Sequence, residues 1–116
     1  MLTRLVIFAG ALGLAVFVTA AAGAAGPNPN RGKTLFKSTC KTCHTKDAGA
    51  KGAKDLTPMS KTQAQWTRHF KTIDPMVKRV QTKTGTSLVA ADLADIKLFL
   101  VSHAADSDQP ETCGAK

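Results

Sequence analysis

Apolar positions recur at three- and four-residue spacing in three stretches of the chain, the mark of one-sided helices. In the first, Gly32, Leu35, Phe36 and Thr39 share a face, which predicts a helix over 31–40 after the turn sequence Gly26-Pro27-Asn28-Pro29-Asn30. In the second, Trp66, Phe70 and Ile73 predict a helix over 61–72. Ser60-Lys61-Thr62-Gln63 fits a capping box at its start, and Asp74-Pro75 ends it. A short segment over 76–80 and a turn over 83–87 follow. The third and clearest helix spans 90–103, with Val89, Leu93, Ile96 and Leu100 as its stripe and Phe99 beside it. Asp92 and Asp95 lie in its first turns, where the helix dipole favours them. The stretch 46–54 is polar and glycine-rich and reads as a loop, and the end from Ala105 onward reads as a loose tail. The expected fold is all-α, a small bundle.

The first residues stand outside that pattern. Met1-Leu2-Thr3-Arg4 is basic, 5–22 is apolar without a charge, and small residues follow up to Ala25. That order is a secretory signal peptide, with an uncleaved membrane anchor as the alternative, since the run is long enough to span a bilayer. The expected division is a signal over 1–25, a domain over 26–105 and a tail over 106–116. After export about 90 residues remain, near the size where a lone apolar core becomes marginal. Four large aromatics are left to build it, Phe36, Trp66, Phe70 and Phe99. Such a chain needs a staple: a disulfide, a metal or a cofactor.

Cys40-Lys41-Thr42-Cys43-His44 indicates which. C-x-x-C-H is the attachment motif of c-type haem. Two thiols three residues apart sit about one helical turn apart, so each can add to one haem vinyl group. His44 then projects its imidazole to the iron as proximal ligand. A thiol redox motif is one alternative, but it belongs between strands, and no strand pattern surrounds the motif. Half a zinc site is the other. Its second half is missing, because His69, His103 and Cys113 are scattered. The expected cofactor is one covalently attached haem c.

Gly32 and Phe36 before C-x-x-C-H, with Phe99 on a late helix, resemble the class I cytochrome c family. The resemblance covers most of the chain beyond the signal. It implies that the first and last helices cross near the haem edge, with the glycine and the aromatics at the crossing. It implies a proline after the motif whose neighbourhood hydrogen-bonds the proximal histidine, a part Pro58 could fill for His44. It also implies a methionine as sixth ligand from the loop before the last helix, where Met76 stands. A thioether ligand raises the reduction potential. Met76 follows His44 at a shorter distance than is usual in the family. His69, which shares a helix face with Trp66 and Ile73, is a rival ligand, and so is Met59 after Pro58. An open iron is the remaining alternative, and His103 reads as a helix-end residue.

Charge then bears on partners. The stretch 31–83 holds thirteen Lys or Arg against three Asp, whereas 84–116 holds two Lys against five acids. Lys37, Lys41 and Lys46 flank the motif, so a basic face would steer redox proteins with acidic docking faces. Export makes nucleic acid a poor partner, and a membrane is expected only if the signal is retained. Cys113 is left over once two cysteines hold haem, and a free thiol in an oxidising compartment invites an intermolecular disulfide. The expected function is one-electron transport in the periplasm, without enzymatic activity of its own. The alternatives are a gas- or ligand-binding haem sensor and a haem subunit of a larger oxidoreductase.

Overall fold

The computed structural model describes residues 26–45 and 54–112. The signal or anchor segment, Lys46, most of the expected loop and Cys113 lie outside them. The described residues are helical, without a strand among them.

Helix α1 spans Pro29–Leu35 and begins two residues before the expected start. Asn28 is extended, and its carboxamide oxygen accepts the N–H groups of Asn30 and Arg31 at 2.9 and 3.2 Å. Pro29 supplies the pre-set φ of a first helical position. The same rod continues through Phe36–Cys40 as a π-helical turn, in which the Lys41 N–H bonds the Phe36 carbonyl at 3.0 Å.

Helix α2 spans Gln63–Lys71, and its capping box is not the expected one. Thr62 and Gln65 make it: the Thr62 Oγ1 accepts the Gln65 N–H at 3.2 Å, and the Gln65 side chain accepts the Thr62 N–H at 2.8 Å. Ser60 is already committed, because Pro58–Ser60 forms a 3-10 turn of its own and the Ser60 hydroxyl accepts the Thr57 N–H at 2.9 Å. Thr62-Gln63-Ala64-Gln65 carries the same S/T-x-x-E/Q pattern two residues further on, which the sequence reading passed over.

Asp74-Pro75 does end α2, but it also starts a helix, α3, Asp74–Thr84. This is twice the short segment expected, since proline in a first turn favours the helix that follows it. Gly85 stops α3 in the left-handed conformation, φ 72°, where only glycine is unstrained.

Helix α4, Ala90–Ser102, packs across α1. Gly32 makes the contact possible: a Cβ there would lie 2.0 Å from the Asp95 carbonyl oxygen. One turn on, the Phe36 and Phe99 rings meet at 5.9 Å, both fully buried. Trp66, Ile96, Leu100 and Ala104 complete the core. The crossing expected from Gly32, Phe36 and Phe99 is therefore present.

The buried face of α4 is rotated from the expected stripe. Val89 is exposed, whereas Asp92 and Asp95 are buried. Both carboxylates pair with the Arg31 guanidinium, and Asp95 also accepts the Asn28 N–H at 2.8 Å. Asp92 in addition accepts the Val89 N–H at 3.0 Å, which caps its own helix. These acids tie α1 to α4, a role that periodicity alone does not reveal. The Asn28 N–H, and after it Arg31, hold the Asp95 carboxyl below the usual carboxylate range. A depressed carboxyl stabilises the fold above its unfolded pKa of about 3.9, and that contribution is lost as pH falls through the folded value. The urea midpoint of the wild type should therefore drop more steeply below about pH 4 than that of Asp95→Asn. Parallel pH profiles would dismiss this linkage.

The tail is not loose over 105–112. The Ala105 N–H bonds the Lys61 carbonyl at 3.2 Å, and Asp106 accepts the Gln63 N–H at 2.7 Å. Farther on, the Glu111 N–H bonds the His103 carbonyl at 3.1 Å, and the Glu111 carboxylate pairs with Lys33. Polar composition suggested freedom, but each of these polar groups has a partner across the fold.

Candidate functional site: an apolar cleft behind C-x-x-C-H

The motif follows the π-helical turn directly. The His44 N–H bonds the Cys40 carbonyl at 3.0 Å, and the Cys43 N–H does so at 3.3 Å. This tight turn brings Cys40, Cys43 and His44 to one cleft of about 230 Å³ that opens to solvent. Its walls are mostly apolar, from Phe36, Trp66, Ile73, Val80 and Leu100. Met76 and His69 line it as well. Met59 does not, being exposed beyond Pro58. His103 is engaged elsewhere: its Nδ1 meets the Gln109 carbonyl at 2.7 Å, and its ring lies 5.3 Å from that of Phe99.

The His44 ring is oriented by its backbone neighbour. Nδ1 lies 2.7 Å from the Lys54 carbonyl, which can only accept, so Nδ1 carries the proton and donates it. Nε2 then keeps its lone pair for a metal. The expected neighbourhood was that of Pro58, but the partner is four residues earlier. The Pro58 carbonyl is taken by the Trp66 indole N–H at 2.7 Å, which fixes the cleft wall instead. The return strand of chain is strapped under the motif by the Leu56 N–H to the His44 carbonyl at 3.4 Å and by Lys41 to the Leu56 carbonyl at 3.2 Å.

Burial pushes the Cys40 thiol up. A thiol redox centre needs the opposite, a stabilised thiolate. Among the described residues no group of three or more His, Cys, Asp or Glu could hold a metal ion. His69 packs edge-on to Trp66 at 5.9 Å and to Phe70 at 6.2 Å. Its pKa is lowered, by burial first and then by the neighbouring Lys61 and His44.

Paired thiols, an imidazole with a free Nε2 and an apolar cleft are what a covalently held haem c requires, and the residues present fit it. Residues 27–100 match the family model described as cytochrome C oxidase, cbb3-type, subunit III. The chain belongs to this family of c-type cytochromes. The family implies covalently bound haem c and redox partners, and it agrees with the all-α, class I-like architecture. No curated protein and no solved structure matches the chain.

Two basic residues of this cytochrome's cleft, Lys61 and Arg79, did not stand out in the sequence. Arg79 follows Met76 by three positions, one turn along α3, so it would have emerged had the Asp74-Pro75 break also been seen as a helix start. Of the lysines flanking the motif, Lys37 is exposed, whereas Lys41 is half-buried and paired with Asp55. No helix among the described residues is long and apolar enough to cross a membrane.

Proposed function

We propose that this cytochrome holds one haem and carries single electrons outside the cytoplasm, without transforming a substrate of its own. The supporting observation is that Cys40, Cys43, His44 and Met76 share one apolar cleft. Haem c, once attached, supplies a one-electron ferric–ferrous couple. Each protein group then has a part. Cys40 and Cys43 would form the thioethers. His44 would offer Nε2 to the iron, held in orientation by the Lys54 carbonyl. Met76 would bind the iron from α3, where a thioether raises the potential. Trp66, Phe36 and Leu100 would keep water from the ring. The basic surface, Lys37 included, draws acidic redox partners into brief complexes.

A second reading has support in the family's description: a haem subunit of a larger oxidoreductase, with an oxidase as the fixed partner. A stable complex recovered on gentle purification would favour it, and a monomer would favour the mobile carrier.

The axial ligand is tested by absorption spectra of the haem-loaded protein, oxidised and reduced, beside Met76→Ala. The expected wild type is low-spin, with a weak long-wavelength sulfur-to-iron band that the variant loses. An unchanged low-spin spectrum in the variant would transfer the ligand to His69. A high-spin wild type would replace the carrier with a ligand-binding protein.

A further inference from the structure

A second concave surface lies where the end of α2 meets α4, a shallow open groove of about 290 Å³. Its apolar lining is Phe70, Ile73, Leu93 and Ala94, and its cations are Lys71 and Lys97. Phe70 and Leu93 belong to the core by the apolar pattern of the chain, yet both are only half-buried. Val89, just before the groove's Ala90, is 59% exposed. Apolar side chains gathered at one open surface mark an interaction site. No carboxylate lines this one. Asp92 and Asp95, on the same helix, are engaged by Arg31, and Asp74, next to Ile73 in the chain, is not part of the lining. Among the described residues neither Lys71 nor Lys97 makes an ion pair, whereas Arg31, Lys33 and Lys41 each do. Ile73 also lines the cleft behind C-x-x-C-H, so its side chain is a wall common to both.

We infer that this groove seats a redox partner protein that presents an apolar group flanked by carboxylates. The inference rests on the electron-carrier reading above and says which part of the surface holds the partner. Three features select that occupant. The apolar lining gains from covering by another apolar group. Lys71 and Lys97 call for acids on either side of it. Ile73 leaves a seated partner one side chain away from the cofactor's cleft. A second copy of this chain fits badly, because a two-fold contact would gather both lysines and their like-charged mates at one place. In the seated complex one electron passes from the partner's reduced centre, which is oxidised by one unit, to ferric haem, which becomes ferrous. No bond forms or breaks.

The probe is flavodoxin, an acidic one-electron protein whose apolar flavin edge is ringed by carboxylates, added to the haem-loaded full chain at low salt. With both proteins oxidised no electron moves, so amide chemical shifts report binding alone. The Phe70, Leu93 and Ala94 amides are expected to move. Lys71→Glu and Lys97→Glu should each weaken the complex about tenfold. Ala90→Glu places an acid in the groove at the exposed first turn of α4, which tolerates it, and should weaken binding by a similar factor. Lys37→Glu, the same change of charge beside the motif, should weaken it only about twofold. Stopped-flow reduction by flavodoxin hydroquinone should slow in the same order, while an uncharged small reductant keeps its wild-type rate throughout. A wild type that does not bind flavodoxin, an Ala90→Glu complex as tight as that of the wild type, or a Lys37→Glu effect as large as that of Lys97→Glu would overturn the proposal. So would a wild-type dimer in sedimentation that Ala90→Glu dissociates, since the groove would then belong to a second copy. A chain without covalently bound haem, or one that neither reductant reduces, would instead overturn the carrier reading beneath it.

Discussion

Gly32→Ala is expected to destabilise the fold by about 3 kcal/mol or more, although alanine is the better helix former by about 1 kcal/mol. The added Cβ would sit 2.0 Å from the Asp95 carbonyl oxygen and 2.4 Å from its carbon. Both atoms are backbone and cannot swing aside, so α1 and α4 must separate. Separation draws Phe36 away from Phe99 and stretches the Asn28–Asp95 hydrogen bond, so one methyl group disturbs contacts along the whole crossing. The urea midpoint measures this. A variant as stable as the wild type, or more stable, would show that the helices do not approach so closely.

The second large effect concerns the staple. Replacing both Cys40 and Cys43 by alanine should abolish the haem band that otherwise survives a denaturing gel. It should also lower the thermal midpoint by on the order of 15 °C, as loss of about 3 kcal/mol does in a domain of this size. The buried core consists of Phe36, Trp66, Ile96, Phe99, Leu100 and Ala104. Around them the cleft leaves space that a ring would fill and that water fills poorly. Calorimetry of the double variant beside the haem-loaded wild type gives the comparison. A midpoint unchanged despite complete loss of haem would mean that the helices are self-sufficient.

Much of this was legible along the chain because each signal had a local cause. C-x-x-C-H states its chemistry in five residues, and Gly32, Phe36 and Phe99 announced a close crossing. What escaped has a non-local cause. Asp92 and Asp95 look like dipole partners until Arg31, some sixty positions away in the chain, is brought between them. The buried face of α4 takes in these two acids together with Ile96, Phe99 and Leu100. The capping box moved from Ser60 to Thr62 because Pro58 had already claimed Ser60 for a tighter turn. The His44 contact falls on Lys54, four residues before Pro58, while the Pro58 carbonyl accepts the Trp66 indole N–H from across the fold. Polar residues of the tail read as solvated until the fold supplies their partners.

The widened turn at Phe36–Cys40 gears one rod to two wheels. Bonding five residues back takes up one more residue per turn than the four-back pattern of an α-helix. On a regular helix that surplus residue would swing every later side chain by about 100°. Here it is absorbed between the last residue keyed to the crossing, Phe36, and the first keyed to the cofactor, Cys40. Gly32 and Phe36 can thus be held to α4 while Cys40 keeps its aim into the cleft. Excising a single residue from this turn would leave the interlock with α4 engaged and throw the attachment thiols out of phase with the ring they are meant to grip.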